Sequence, residues 1–284
     1  MPADSRLPIS RQTAVHQQLP RLLDRHSRTP FRKPCADYNQ VAFADSFERY
    51  QRLAGGAQLI LDSGCGVGES TVALARAFPD HYVIGVDQSA VRLARARSSV
   101  AGWPDNLDLV RADLVDYWRL LHDAGGRLDR HYLLYPNPWP KMCHVGRRWH
   151  GHAVFPTMLA LAGVLECRSN WPIYIAELCL AIESLSGHAV VLEACFPTAP
   201  MTPFERKYLA SGHPLWRCRV DLRSHPGTCA GAGQGSADDA CRAGKWSGRW
   251  KQNTAPNPLI KNRFFLFVQW NKTVLCTAPS FFGK

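Results

Sequence analysis

Three glycines alternate in the stretch "LDSGCGVGES", which joins a short apolar strand to the start of a helix. Gly64, Gly66 and Gly68 tolerate positive φ and let a ligand approach the backbone closely, and the helix N-terminus offers free N–H groups. Their spacing is G-x-G-x-G, which fits the dinucleotide fingerprint G-x-G-x-x-G poorly. The loop therefore predicts a small-molecule site of another kind.

Two acids end the next two predicted strands. Asp87 can accept hydrogen bonds from both hydroxyls of a ribose, and Asp113 can accept from an adenine amino group. The alternative is a tight turn followed by helices that aspartates cap at their N-termini. A glycine loop followed by acids at consecutive strand ends favours an S-adenosylmethionine site.

A rigid segment follows the fourth predicted strand in "YLLYPNPWP", residues 132 to 140, with three prolines in five positions. Asn137 and Trp139 would present an amide oxygen, backbone carbonyls and an indole to a planar substrate beside the methyl donor. The alternative is a rigid turn with Trp139 packed in the core. We call residues 135 to 141 the tip.

Other candidate sites have weaker patterns. His144, His150 and His152 with Cys143 share no recognisable zinc spacing, so no metal site is predicted. Motifs of serine or cysteine nucleophiles are absent, and Cys65 in the glycine loop is interpreted as a packing residue and not as a reactive thiol.

Composition indicates a globular protein with a polyanionic partner. The chain has 284 residues, a net charge of +11 and a sequence pI of about 9.4. Residues 6 to 33 carry seven basic side chains against one acid, and this arm suits nucleic-acid contact or solubility equally. No apolar run is long enough to span a membrane, and the N-terminus lacks the apolar segment of a secretory signal. Ten cysteines without a C-x-x-C pair predict a reducing cytoplasm.

Strand and helix patterns alternate along the middle of the chain. The predicted strands are 57–64, 81–87, 107–113, 132–135, 163–170, 188–196 and 214–222, and helical patterns separate the first six. This predicts an α/β fold with a doubly wound, mostly parallel seven-stranded sheet. We divide the chain into a basic N-terminal arm (1–45), the α/β domain (46–222) and a low-complexity, irregular tail (223–284) with no assigned function.

Five motifs in this order resemble those of a known family. "LDSGCGVG" with "GVDQS" looks like motif I and the ribose motif of Rossmann-like class I S-adenosylmethionine-dependent methyltransferases. "YPNPWPKMCHVGRRW" resembles the "PDPWPK…H…RR" signature of the tRNA (guanine-N7-)-methyltransferase family. "RSNWPIYIAELCLAIE" and "TPFERKYLASGHPLW" are similar to that family's "T-D-W-x-x-Y-A" and "T-x-F-E-x-[KR]…G-H-x-[VL]-W" segments. The similarity spans residues 59 to 222.

The resemblance implies a role for each matching residue. The residues implied to bind S-adenosyl-L-methionine are Asp62, Gly64, Cys65, Gly66, Gly68, Asp87, Asp113 and Asn137. Asn137 also takes the position of the family's catalytic aspartate. Substrate nucleotides would contact Lys141, Arg147, Arg148, Asn170, Thr202, Pro203, Phe204 and Glu205, with the arginine pair suited to phosphates. The implied partner is tRNA or another structured RNA, and nothing in the sequence distinguishes a monomer from a homodimer.

Two positions depart from the family, since Asn137 and Asn170 are amides where it has carboxylates. An amide both donates and accepts, so the change weakens the case for guanine while leaving methyl transfer intact. "Asn-Pro-Trp" also partly matches the N-P-P-[YFW] motif of methyltransferases that act on exocyclic or amide nitrogens. Three hypotheses follow: a guanine-N7 enzyme, a methyltransferase for another planar nitrogen, and a catalytically weak binding paralogue.

Overall fold

The computed structural model describes residues 5–99 and 102–223 of the chain, with side chains omitted for 97–99. The strands are β1 (Gln58–Ser63), β2 (His81–Asp87), β3 (Leu107–Arg111), β4 (Arg130–Leu134), β5 (Val164–Ser169), β6 (Leu192–Cys195) and β7 (Leu215–Asp221). The α-helices are α1 (Leu19–Arg28), α2 (Asp37–Leu53), α3 (Glu69–Ala77), α4 (Ala90–Ser99), α5 (Leu114–Asp123), α6 (Phe155–Ala160), α7 (Pro172–Ser186) and α8 (Pro203–Ala210).

All seven strands form one sheet in the order β3-β2-β1-β4-β5-β7-β6. The strands β1 to β5 are parallel, and β7 runs antiparallel between β5 and β6. Their apolar side chains are buried on both faces because helices cover the sheet on each side. The predicted doubly wound, mostly parallel seven-stranded α/β fold is confirmed.

The order of the strands determines where a ligand can bind. The first five strands all end at the same edge of the sheet, and the strand order reverses at β1, with β2 and β3 on one side of it and β4 and β5 on the other. In open α/β sheets, ligands bind at the carboxyl ends of the strands, beside such a switch point. The glycine loop follows β1 and the tip follows β4, so both lie at this edge.

The N-terminal arm contains two helices that the sequence analysis did not predict. Leu19 and Leu23 bury one face of α1, and Phe43 of α2 packs edge-on against Tyr117 of α5 with ring centroids 5.4 Å apart. The proposed boundary at residue 45 falls inside α2. Almost all of the predicted tail, 224–284, lies outside the described residues, so the three-part division stays a prediction. Among the described helices, none is long and apolar enough to cross a membrane.

Candidate active site

The glycine loop leaves β1 through three residues with positive φ. Gly64, Gly66 and Gly68 have φ of 79°, 60° and 74°, a region that residues with a side chain rarely adopt. A Cβ at Gly68 would lie 2.9 Å from Leu109 Cδ1, whereas one at Gly66 would meet nothing within 4 Å. Gly68 therefore serves packing, while Gly66 borders open space that a ligand can fill.

Asp62 lies before the glycine loop and contacts the helix that follows the loop. It is buried at the end of β1, and its carboxylate accepts hydrogen bonds from Ser70 Oγ at 2.6 Å and Thr71 Oγ1 at 2.7 Å. Burial raises the pKa of Asp62 to about 6, although the two hydroxyls act to lower it. Asp62 thus ties β1 to the first turn of α3. Cys65 is also buried, and burial raises the pKa of its thiol, which keeps the thiol neutral.

Replacing Asp62 with asparagine should flatten the pH dependence of stability between pH 4 and 6. The unfolded carboxyl releases its proton near its ordinary pKa of 3.8 and the folded one near 6, so the free energy of unfolding falls as pH rises through this window. The difference corresponds to about 3 kcal/mol at neutral pH. Urea unfolding at several pH values measures it, and an equally steep loss in Asp62→Asn would contradict the assignment.

Asp87 contacts the glycine loop, Asp113 follows β3 at the same edge of the sheet, and both have acceptor capacity left. Asp87 accepts from the backbone N–H of Gly66 at 3.0 Å and of Ser89 at 2.8 Å, one with each oxygen. Asp113 caps α5 by accepting from Val115 N at 2.8 Å. The helix capping considered as the alternative is therefore present at Asp113, whereas Ser89 caps α4 by accepting from Arg92 N and Asp87 lies before that cap. A carboxylate accepts about four hydrogen bonds, so neither acid is saturated.

The residues at this edge fit an adenosine-bearing cofactor. Asp113 Oδ2 has no hydrogen-bond partner within the described part of the chain, and Gly66 faces open space. Buried Asn39 of α2 accepts from Asp113 N at 3.0 Å and donates to Asp116 Oδ2 at 2.6 Å, which fixes the acid at the end of β3. No sequence pattern pointed to Asn39, because it lies in the arm.

The tip is held in a strained conformation. Tyr135 and Trp139 have φ of 52° and 44°, and such residues cost about 1–3 kcal/mol each unless their surroundings hold them in place. Asn137 between them is exposed, and its Oδ1 accepts from Trp139 N at 3.3 Å. Its Nδ2 has no partner among the described residues and is free to face a substrate.

The three basic residues that were predicted to contact the RNA differ in their exposure. Lys141 and Arg147 are exposed, and the Arg147 guanidinium lies 4.9 Å from the centroid of the Trp139 ring. Arg148 is fully buried, ion-paired with Glu177 at 2.5 Å, and donates to the Trp139 carbonyl. The prediction that Arg148 contacts phosphate is wrong, because its guanidinium is enclosed by protein acceptors.

Asn170 follows β5 and is buried. Its Nδ2 lies 3.3 Å from His213 Nδ1, and His213 Nε2 lies 2.7 Å from the Ser5 carbonyl. Since that carbonyl can only accept, His213 carries its proton on Nε2 and accepts from the Asn170 amide with Nδ1. Asn170 Oδ1 has no partner among the described residues and is not among the enclosed unpaired atoms, so it remains accessible to solvent.

The "TPFE" stretch opens α8. Thr202 caps the helix by accepting from Glu205 N at 3.0 Å, Pro203 and Phe204 are exposed, and Glu205 is fully buried. The Glu205 carboxylate accepts from Tyr135 Oη at 2.7 Å, Arg168 Nη1 at 2.9 Å and Met201 N at 2.7 Å. The prediction that Glu205 accepts from a substrate is wrong, because these donors enclose it. It links the tip to β5 and α8.

No group of three or more His, Cys, Asp and Glu side chains could hold a metal ion in the ranges that the structure describes. His144 is partly exposed and contacts the Trp139 ring edge-on at 5.4 Å, whereas His150 is buried against Glu177. The histidines of this loop therefore pack separately.

Comparison with known proteins identifies the family. Residues 56–218 match the family model described as "Putative methyltransferase". The tRNA (guanine-N(7)-)-methyltransferase of Anaeromyxobacter dehalogenans (strain 2CP-C) is 34% identical over 179 residues, which cover 58% of this chain and 86% of that protein. The enzyme of the same name from Halorhodospira halophila (strain DSM 244 / SL1) is 32% identical over 182 residues, 58% of this chain and 77% of that protein.

A solved structure is similar at a lower sequence identity. A mutant of the 16S rRNA (adenine(1408)-N(1))-methyltransferase from Catenulisporales acidiphilia, with cosubstrate SAM, has a TM-score of 0.47 and 20% identity, and covers 62% of this chain and 92% of that one. The matches to the family confirm the predicted methyltransferase, with S-adenosyl-L-methionine as its methyl donor. The chain belongs to the tRNA (guanine-N(7)-)-methyltransferase family.

Proposed function

We propose that this protein transfers a methyl group from S-adenosyl-L-methionine to N7 of a guanine in tRNA. The observation that supports this most strongly is the tip with exposed Asn137, at the same sheet edge as the glycine loop, in a chain whose relatives carry that name. Neighbouring strand ends bring a methyl donor and a planar base together, which supplies the proximity the reaction needs.

Guanine N7 already carries a lone pair, so the reaction needs no general base. The lone pair forms the new N–C bond while the C–S bond of the sulfonium breaks and sulfur keeps its electron pair. The protein has to align the base, exclude water and stabilise the cationic ring that results. The Asn137 oxygen and the tip carbonyls can accept from the base or face its positive charge.

The cofactor would be held by the loop and the two acids. Gly66 would face its methionine end, Asp87 its ribose hydroxyls and Asp113 its adenine amino group, since both acids keep unused acceptor capacity. Asp62 and Cys65 would act through the backbone they support, because both side chains are buried. Gly64 and Gly68 would shape the turn.

Asn170 replaces Glu205 as the candidate acceptor for the guanine edge. Its Oδ1 is unpaired among the described residues, and His213 orients the amide by taking its N–H. In this orientation an amide offers the same acceptor that a carboxylate would offer. Exposed Phe204 stacks on Tyr208, with ring centroids 6.2 Å apart and an interplanar angle of 29°, and can stack on a neighbouring base.

RNA phosphates would contact exposed basic residues near the tip and on α1. Besides Lys141 and Arg147, three arginines of α1 (Arg21, Arg25 and Arg28) are exposed and line an open groove of about 490 Å³. Their spacing of four and three residues puts them on one face of the helix.

Replacing Lys141 and Arg147 with alanine should weaken tRNA binding and flatten its salt dependence. Each phosphate contact made by a basic side chain releases about one counterion from the RNA. Loss of two such contacts should therefore make the slope of log K against log salt shallower by about 1.5. Filter binding between 50 and 300 mM salt would measure it. As a control, alanines at exposed Arg52 and Arg219, on α2 and β7, should leave the slope unchanged. An unaltered slope in the first variant would move the RNA surface elsewhere.

Mass spectrometry of nucleosides from bulk tRNA tests the proposed function in cells. Cells lacking the protein should lose 7-methylguanosine at one or more tRNAs and regain it when the gene is returned. Unchanged 7-methylguanosine with loss of another methylated nucleoside would assign a different target.

A further inference from the structure

Glu177 is a fully buried carboxylate on α7 that lies two positions beyond the end of the family pattern T-D-W-x-x-Y-A and was given no role above. Its Oε1 accepts from Gln12 Nε2 at 2.5 Å and His16 N at 2.9 Å. Its Oε2 accepts from Arg148 Nη1 at 2.5 Å and His150 Nε2 at 2.8 Å. These four donors offset the cost of burying the charged carboxylate, and Glu177 is the residue that all of them share.

The charges in this network can be assigned. Burial acts to raise the pKa of Glu177, but His150 and Arg148 outweigh it and lower the pKa to about 2. Burial lowers the pKa of His150, and its Nδ1 is enclosed without a partner among the described residues, as expected of a neutral ring that donates through Nε2. Glu177 and Arg148 therefore form the ion pair.

Arg148 contacts both Glu177 and the tip, and so connects them. Its Nε and Nη2 donate to the Trp139 carbonyl at 3.3 and 3.2 Å, and its guanidinium lies 4.8 Å from the centroid of the Trp171 ring. Trp139 is one of the two strained residues of the tip, and its N–H is the donor that holds Asn137 Oδ1. Three successive contacts thus connect Glu177 to Asn137.

The N-terminal segment 5–16 is held by the same network. Gln12 donates to Glu177 and accepts from Arg148 Nη2 at 2.9 Å, and Ser10 Oγ donates to the Pro140 carbonyl at 2.6 Å. At its other end, the Ser5 carbonyl accepts from His213, the partner of Asn170. The segment therefore contacts both the tip and the residues around the candidate guanine acceptor.

We propose that Glu177 is a positioning residue for methyl transfer: through Arg148 it fixes the strained tip that carries Asn137, and it fastens residues 10–16 against that tip as part of the active-site wall. The expected effect of Glu177 on the rate of methyl transfer rests on the proposed function. The positioning of the tip itself does not depend on which base is methylated.

The test uses the full-length chain and variants that keep the buried charges balanced. Glu177→Gln alone leaves Arg148 unpaired and can fail to fold. The double variant Glu177→Gln/Arg148→Met removes both charges, whereas Gln12→Leu keeps the ion pair and removes the hydrogen bonds that join Gln12 to its two members. With saturating tRNA and S-adenosylmethionine, single-turnover rates should fall on the order of tenfold in the double variant, because misplaced groups lose catalytic alignment. The affinity for S-adenosylhomocysteine and the KM for tRNA should change less than about twofold.

Hydrogen exchange supplies a readout that needs no turnover. The peptide containing Trp139 and Lys141 should exchange faster in the double variant, and residues 10–16 should exchange faster in both variants. Glu48→Gln, at an exposed position on α2, should behave as wild type in all assays. A wild-type rate in a folded double variant, or unchanged exchange at the tip, overturns the proposal. If wild-type protein makes no 7-methylguanosine, the proposed function fails and exchange at the tip still decides the positioning role.

Discussion

Replacing Gly66 with valine should abolish binding of S-adenosylhomocysteine while the protein keeps a cooperative unfolding transition. A Cβ at this position meets nothing within 4 Å, so the valine side chain enters the open space beside the loop and displaces the ligand instead of protein atoms. The positive φ of 60° adds a conformational cost of about 1–2 kcal/mol. We expect affinity to fall by about a hundredfold or more, equivalent to about 2.7 kcal/mol.

Gly125 provides the matched control. It follows α5, has φ of 73°, and a Cβ there also meets nothing within 4 Å. Gly125→Val should therefore cost similar stability and leave cofactor affinity unchanged, which separates backbone strain from occlusion of the site. Isothermal titration with S-adenosylhomocysteine measures the affinities. Wild-type affinity in folded Gly66→Val would refute the assignment of the glycine loop.

Replacing Asn137 with aspartate should raise the rate of N7 methylation by about a hundredfold. The new carboxylate can keep the hydrogen bond from Trp139 N with one oxygen, and its second oxygen replaces the Nδ2 group that lacks a partner in the described part of the chain. A negative charge then faces the ring that becomes cationic during the reaction. Losing one oxyanion-hole donor costs about 2.7–4 kcal/mol, which sets the scale for gaining one charge contact in a dry site.

Single-turnover methyl transfer with nucleoside identification distinguishes the alternatives at Asn137. Gln40→Glu, exposed on α2, adds the same charge away from the site and should leave the rate unchanged. If Asn137 instead accepts from a target amino group, the aspartate should slow the reaction and an N-methylamino nucleoside should be the product. No product from either protein would favour the binding paralogue.

The sheet could be predicted because β1 to β4 are short apolar runs that end in, or are closely followed by, a glycine, an acid or a proline, and β5 is followed by an asparagine. β2 was predicted with both of its ends, and the glycine loop and Asp87 lie together as the strand order requires. The helices of the arm were not predicted. In α1, only Leu19 and Leu23 are buried and most of the other residues are polar. A stripe that narrow is weak evidence for a helix.

The burial of charged residues could not be predicted. Arg148 and Glu205 belong to motifs with chemical roles, and arginine and glutamate are almost never fully buried unless paired. Their partners, Glu177 and Arg168, are 29 and 37 positions away in sequence, so only the folded chain brings each pair together. Sequence patterns therefore located the site, but could not separate residues that face a substrate from residues that hold those in place.

A transcript in which every guanosine is replaced by 7-deazaguanosine tests the central claim most directly. This base keeps its Watson–Crick edge but has a carbon at position 7, so it has no lone pair to methylate. Purified protein with methyl-labelled S-adenosylmethionine should label an ordinary tRNA transcript as 7-methylguanosine and leave the 7-deazaguanosine transcript unlabelled. Equal labelling of both transcripts would contradict methyl transfer to guanine N7.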